Sequence, residues 1–315
     1  MPEKIIIDTD PGIDDMQAIF LALLSTEVDV LGITTVFGNS GLDNSVANAL
    51  RLVETAGRPD VPVVRGASRP ILLPPRPGAP SIHGADGLGN AADRLPKPKG
   101  KAIGQNAANF IVETVLAHPG EVTLVPIGPI TNIALAARLE PAIISKVKRV
   151  VLMGGSAFVG GNASAAGEAN LYNDPHAAKI VFEAGWPIVM AGLDVTYRYL
   201  LGEDYLDLVS SLGNPVSDFM KEVFVFVRQR MIEWNSREAV PDLHAVAYLI
   251  APELYTTRRL PCYIETEGRT AGMTVVDPRP PARRNEVIPE IDVILDVHAE
   301  KLRGLFLQRI GAFGK

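Results

Sequence analysis

Cysteine is almost missing from this chain: Cys262 stands alone in 315 residues. One thiol excludes an internal disulfide framework and any cysteine-built zinc or iron–sulfur centre, and it fits a reducing compartment, so a cytoplasmic protein is expected. A basic excess is missing as well. Lys plus Arg number 30 against 36 Asp plus Glu, the formal net charge is −6, and no basic block could track a phosphate backbone, which argues against nucleic acid as a partner. Long apolar runs are the third absence. MPEKIIIDTDPG reaches carboxylates before a signal-peptide core can develop, and other apolar runs fall far short of a membrane span, so the expected protein neither enters nor crosses a membrane. No repeat or linker-like stretch is visible, and we expect one domain over residues 1–315.

What is present is an ordinary globular composition, 47% apolar and 21% charged. A chain of this size buries roughly 75% of its extended surface, so no metal is needed merely to hold the fold, and a metal site has to be justified by function. Short apolar runs alternate with amphipathic stretches: Ile5–Asp8, then Asp14–Leu24; Val30–Phe37, then Leu42–Ala56; Val61–Val64. The rhythm continues through Gln105–Leu116, Val122–Gly128, Thr131–Leu139, Val147–Gly155, Pro175–Ala184 and Trp186–Thr196. This order predicts an α/β fold with an open, mostly parallel twisted sheet flanked by helices. Ligands in such sheets bind beyond the carboxyl ends of the strands, where the turns 8–15, 37–44, 126–132 and 153–174 should converge.

Gly66–Lys101 breaks the rhythm with Pro and Gly and without helical or strand period, and its IHGADGLGN core marks it as an active-site loop. A long helix over Pro215–Trp234 follows, then a helix over Asp242–Ile250, short strands near Cys262–Glu265 and Gly272–Val276, a strand Glu290–Leu295 and a closing helix Ala299–Ile310.

The most informative stretch is DTDPGIDD, Asp8 to Asp15. Four carboxylates at a strand end and a helix start raise one another's pKa values unless a cation is present. Oxygen-only ligands suit a hard ion, and several direct carboxylate and carbonyl ligands favour calcium over magnesium. Capping of the helix explains Asp14 or Asp15 singly, but it does not require Asp8 or Asp10. An aspartyl phosphotransferase of the haloacid-dehalogenase type, opened by Asp8-x-Asp10, is the other reading; Pro11-Gly12 followed by Asp14-Asp15 is not its usual continuation.

DTDPGIDD, VPIGPITNIALA (Val125–Ala136), VVLMGG (Val150–Gly155), GNASAAGEANLYNDPHAA (Gly161–Ala178) and GLDVT (Gly192–Thr196) together resemble the motifs of the inosine-uridine-preferring nucleoside hydrolases, in order and over nearly the whole chain. The resemblance implies an open α/β fold, a bound calcium ion and hydrolysis of the N-glycosidic bond of a ribonucleoside to ribose and free base. It implies Asp10, Asp15, Asp242 and the main-chain carbonyl of Ile127 as calcium ligands, and Asp10 as the base that activates water. Asp14, Asn39, Asn162, Glu168 and Asn170 are implied as contacts to the ribose, Met153 as a pocket residue, and His83 and Trp234 as residues near the base. Relatives are commonly dimers or tetramers, so a homodimer or homotetramer is implied too.

One departure stands out. Many members carry His-Asp where this chain has Pro241-Asp242, and proline cannot protonate a leaving base. His244 lies two residues on, about 200° round a helix from Asp242, and reads as a packing residue. The long helix offers Phe224, Phe226, Arg228, Arg230 and Trp234 and no tyrosine; Trp234, Phe226 or an arginine is left to activate the base. Three readings follow: a calcium-dependent nucleoside hydrolase, the same enzyme acting on a modified nucleoside with a better leaving group, or a ribosyl-binding or sensor protein that keeps calcium with weak or no catalysis.

Overall fold

The computed structural model describes residues 1–284 and 287–314. In chain order the strands are β1 (Glu3–Thr9), β2 (Val28–Thr35), β3 (Val63–Arg65), β4 (Ile103–Asn106), β5 (Val122–Pro126), β6 (Arg149–Met153), β7 (Ile188–Ala191), β8 (Leu200–Leu201), β9 (Glu238–Ala239), β10 (Tyr255–Ile264), β11 (Thr274–Val276) and β12 (Glu290–Val297). The helices are α1 (Ile13–Leu23), α2 (Leu42–Thr55), α3 (Pro80–His83), α4 (Ala107–Ala117), α5 (Thr131–Leu139), α6 (Ala169–Asn173), α7 (Pro175–Phe182), α8 (Leu193–Thr196), α9 (Glu203–Ser210), α10 (Pro215–Trp234), α11 (Leu243–Ile250) and α12 (Ala299–Ala312).

Ten strands form one sheet in the order β11-β10-β12-β7-β6-β5-β1-β2-β3-β4, and β8 pairs with β9 separately. Neighbours from β12 to β4 are parallel; β10 runs antiparallel to β12 and β11. The expected mostly parallel sheet is therefore present, with an antiparallel edge. Its two faces feed two cores, and β1 shows how. Strand alternation sends Ile5 and Ile7 to the face packed by Met16 and Phe20 of α1, and Ile6 to the face packed by Ile111 and Ile133 of α4 and α5. All three isoleucines are fully buried, each worth about 1.5–3 kcal/mol relative to exposure.

The chain leaves β1 towards β2, β3 and β4, then returns to place β5 on the other side of β1. This reversal makes the carboxyl ends of β1, β2 and β5 a topological switch point, where a crevice opens.

Several boundaries differ from expectation for identifiable reasons. The strand expected over 186–196 ends at Ala191, because Gly192 starts the short helix α8. Asp194 of that helix then accepts the N–H groups of Ala157 (2.6 Å) and Phe158 (2.8 Å), bracing the loop after β6. The strand expected from Cys262 begins at Tyr255, since its first half, Thr256–Arg259, is exposed and has no apolar alternation to announce it. β4, α6, α9 and the β8–β9 pair were not expected either. α10, in contrast, spans the expected residues: Asn214 caps it by accepting from Val216 and Ser217, Pro215 occupies the first turn, and Asn235 ends it in the left-handed conformation. Among the described residues, no helix is long and apolar enough to cross a membrane.

Candidate active site

A cavity of about 400 Å³ opens at the switch point. Its floor is built by the turn that ends β1. Asp10, Pro11 and Gly12 carry the chain from Thr9 into α1, and Asp15 closes that turn by accepting from Gly12 N (2.8 Å) and from the Thr9 hydroxyl (2.5 Å). The Asn39 side chain, just after β2, donates to Asp15 Oδ2 (3.1 Å) and to the Asp10 carbonyl (3.3 Å), while its backbone N–H donates to Asp10 Oδ2 (2.6 Å). Asp10 is clamped by two glycines. A Cβ on Gly38 would sit 1.9 Å from Asp10 Oδ2, and one on Gly128 would sit 2.4 Å from Oδ1. Only hydrogen at both positions lets the carboxylate stand where it does.

The four acids of DTDPGIDD do not act as one group. Asp8 faces away from the cavity, where Oδ1 accepts from Thr34 (2.5 Å) and Asn132 (2.7 Å) and ties β1 to β2 and α5. Asp242, expected as a ligand from the later helix, joins the remaining acids at the start of α11. Although it occupies the N-cap position of α11, its side chain makes no capping bond. Instead Asp14, Asp15 and Asp242 bring ligand oxygens within 4.8 Å of one another, a grouping able to hold a metal ion; Asp10, expected as a ligand, is outside this triplet but is joined to Asp15 through Asn39, and its charge bears on Asp242.

Electrostatics in this floor are unbalanced. Burial, then the charges of Asp15 and Asp14, pushes Asp10 well above the ordinary carboxylate range. Burial and the Asp14 charge raise Asp15 to about 6, against the bonds from Thr9 and Gly12. Asp14 is raised mainly by burial, and Asp242 is raised strongly by burial and by Asp14, Asp15 and Asp10. Asp10 Oδ1 and Asp14 Oδ1 are buried with no hydrogen-bond partner among the described residues. Orphaned carboxylate oxygens in a buried, all-oxygen cluster fit a hard divalent cation, which reverses this pKa logic by supplying the missing charge.

The wall carries hydrogen-bonding groups. Glu168 caps α6, accepting from Asn170 N (2.9 Å), Gly155 N (2.9 Å) and Leu171 N (3.2 Å), yet burial still raises it to about 7. The Asn170 amide donates to the carbonyls of Ile127 (3.0 Å) and Met153 (3.1 Å), so it fixes the Ile127 oxygen at the end of β5. Met153 is buried with its sulfur 3.4 Å from that amide. Asn162 is exposed on the rim and accepts from Ala169 N (2.9 Å). Asp14, Asn39, His83, Ile127, Met153, Asn162, Glu168, Asn170, Trp234 and Asp242 all line the cavity; Asp10 and Asp15 are buried and do not line it, and each is bonded to Asn39, which does.

The loop 66–101 reaches the cavity through Ala79, Ile82 and His83 of the α3 region. His83 Nδ1 accepts from Ile13 N (3.2 Å) and stands 3.7 Å from Asp14 Oδ1, and burial lowers its pKa to about 4, so the ring is neutral. Asp86 folds the rest of this loop by accepting from Leu88, Asn90 and Ala92.

At the mouth, Pro241 and the half-exposed Trp234 line the cavity. His244 does not. It is fully buried with its ring edge-on to Tyr199 and Tyr255, and burial drops its pKa to about 3. Two residues offered for base activation are misplaced for it. Arg228 pairs with Glu203 and with Asp207 (2.8 Å) on the outer side of α10, and Phe226 packs on Gly89. Arg230 and Trp234, four residues apart, share the cavity face; Arg228 lies two residues and about 200° round the helix from Arg230, while Phe226, one turn before Arg230, packs against it without lining the cavity.

Sequence reasoning missed Glu238, Tyr197, Ser236 and Arg237 as lining residues. Glu238 belongs to β9 and Tyr197 lies just before β8, strands only two residues long that leave no periodic signal. Asn132, in the GPITN motif, could have been suspected as a support, because a polar residue on an otherwise apolar helix face needs a partner.

Comparison with known proteins matches residues 5–304 to the sequence model of a family described as inosine-uridine preferring nucleoside hydrolase. The chain is 43% identical over 298 residues to the inosine-uridine preferring nucleoside hydrolase of Leishmania major, covering 93% of this chain and 94% of that one. It is 40% identical over 278 residues to a probable uridine nucleosidase of rice, Oryza sativa subsp. japonica, covering 87% and 85% of the two chains. Among solved structures, a plant nucleoside hydrolase superposes with a TM-score of 0.93 at 33% identity, over 99% of this chain and 100% of that one. A purine-preferring ribonucleoside hydrolase from Gardnerella vaginalis superposes with a TM-score of 0.92 at 32% identity, over 99% of both.

Proposed function

The chain belongs to the inosine-uridine-preferring nucleoside hydrolase family and is a glycosidase of the N-ribosyl bond; we propose that it cleaves ribonucleosides to ribose and free base in a calcium-dependent reaction whose water is activated by Asp10. The observation that carries this reading is the floor of buried, orphaned carboxylates beneath a wall of amide and carboxylate groups. Asp10, Asp15, Asp242 and the Ile127 carbonyl are the proposed ligands, and Asp14, whose carboxylate groups with Asp15 and Asp242, is placed to serve as a ligand or to take a ribose hydroxyl. A calcium ion held by these residues would supply the charge that keeps the aspartates ionised and would make a water and the vicinal hydroxyls of ribose more acidic.

The chain's own residues do the rest. Asp10, held by Asn39 N–H on one oxygen, keeps Oδ1 for the water and takes its proton as the oxygen attacks the anomeric carbon. Positive charge that grows on the sugar ring faces the anionic floor and Glu168. Asn39, Asn162, Glu168 and Asn170 hold the ribose. Pro241 donates no proton, so departure of the base rests on other groups.

The test is ribose release from a panel of purine, pyrimidine and modified ribonucleosides, with and without a calcium chelator, with Asp10→Asn alongside. We expect chelator-sensitive release that falls by about 1,000-fold or more in Asp10→Asn, within the range for loss of a general base that is also a ligand. No release from any nucleoside, by a folded protein that binds calcium and ribose, would overturn the enzymatic reading in favour of a ribosyl-binding protein.

A further inference from the structure

Arg230 is a long, charged side chain that is only 5% exposed, on the cavity face of α10. One end of its guanidinium is explained: Nη2 pairs with Glu238 of β9, itself largely buried. The ring faces of Phe226 and Trp234 lie 5.8 Å and 5.7 Å from its central carbon, close enough for cation–π attraction to hold its plane. The other end is not explained. Arg230 Nη1 is buried and has no hydrogen-bond partner among the described residues. The pair with Glu238 leaves the other end of a cavity-lining guanidinium as a buried donor, a cost in stability that an acceptor on a bound ligand would offset. Pro241, which lines the same cavity, has no proton to donate.

We propose that Arg230 is the catalytic residue that receives the departing base, its free Nη1 donating a hydrogen bond to a ring nitrogen or carbonyl oxygen of that base, with Glu238 as its positioning residue. The proposal rests on the nucleoside hydrolase reading above. A guanidinium holds its proton throughout the physiological range, so Arg230 stabilises the leaving group and does not protonate it. The step balances accordingly. The N-glycosidic bond breaks with its electron pair on the base, the water oxygen bonds to the anomeric carbon, Asp10 takes the water's proton, and the base leaves as an anion paired with Arg230. The anion takes a proton from solvent, to which Asp10 returns its own. Such assistance favours bases that present an acceptor near the scissile nitrogen, which purines and pyrimidines both do.

The experiment uses the full chain with calcium and three substrates: uridine, inosine and 4-nitrophenyl β-D-riboside, whose phenolate needs little help to leave. Arg230→Gln is expected to lower kcat on uridine and inosine by about 100-fold, the usual loss for one preorganised donor, and on the nitrophenyl riboside by no more than about fivefold. Arg230→Lys is expected to restore part of the nucleoside activity, because it keeps the charge. Glu238→Gln should show the same substrate pattern at about one tenth of the size, as expected of a group acting through another. Equal losses on all three substrates would overturn the proposal and make Arg230 structural. Unchanged nucleoside turnover in Arg230→Gln would overturn it too, while leaving the hydrolase reading intact. Absence of ribose release by the wild-type chain from every substrate would instead overturn that reading, and this assignment with it.

Discussion

Gly128→Ala probes how tightly the site depends on its glycine clamp. Its Cβ would stand 2.4 Å from Asp10 Oδ1, whereas real Cβ contacts stay beyond 3.0 Å, and Asp10's own backbone N at 3.0 Å blocks the easy escape. The carboxylate therefore has to retreat by about 0.6 Å or more, a displacement of the size that costs a positioned catalytic group about 100-fold in rate, or about 2.7 kcal/mol on the barrier. Global stability should fall by about 1–3 kcal/mol from overpacking, well short of unfolding a domain of this size. The assay is steady-state ribose release with saturating calcium, beside thermal unfolding and a Gly104→Ala control, since a Cβ at Gly104 meets nothing within 4 Å. The reasoning predicts loss of kcat with a retained folding transition in Gly128→Ala and near-wild-type behaviour in Gly104→Ala. A Gly128→Ala enzyme that keeps kcat within about threefold would refute the claim that Asp10 is catalytically positioned by this contact.

Three further outcomes are expected. If calcium binds the carboxylate floor with a Kd on the order of 10 µM, adding about 1 mM should stabilise the chelated protein by about 2.7 kcal/mol and raise Tm by several degrees, with magnesium much weaker; a Tm indifferent to calcium counts against the ligand set. Burial lifts Glu168 from its ordinary 4.5 to about 7, so the folded state keeps a proton that the unfolded chain has lost. Its contribution to stability therefore falls as pH rises from 4.5 to about 7, by at most about 1.4 kcal/mol per pH unit; urea midpoints across that window should show a slope that Glu168→Gln removes, and an unchanged slope would place the proton elsewhere. Arg228→Ala, which removes only the half-exposed pairs with Glu203 and Asp207, should cost no more than about 1 kcal/mol and leave kcat within about threefold; a large kcat loss would mean that α10 presents a different face to the base.

Sequence pattern alone determined the layered sheet. Ile5, Ile6 and Ile7 are hydrophobic on both sides of a strand, which only a sheet covered on both faces can use, and Asn214-Pro215 with Asn235 set both ends of α10 by local backbone chemistry. The acidic turn was equally legible, because crowded aspartates at a strand end are costly without a cation and stand out for that reason. Local rules could not say which acids would meet. Asp8 is one residue from the turn yet serves Thr34 and Asn132, while Asp242, more than two hundred positions away, joins Asp14 and Asp15. The same holds at the mouth: spacing along α10 does not tell Arg228 from Arg230 until α9 and β9 pack against opposite sides of that helix and supply Glu203 and Asp207 to one, Glu238 to the other. Strand period and helix caps are properties of neighbouring residues and can be read in order. Which side chains share a cavity is fixed by the strand order of the sheet, which brings β5 back beside β1, and by the packing of late elements over its carboxyl edge, and only the tertiary structure contains that.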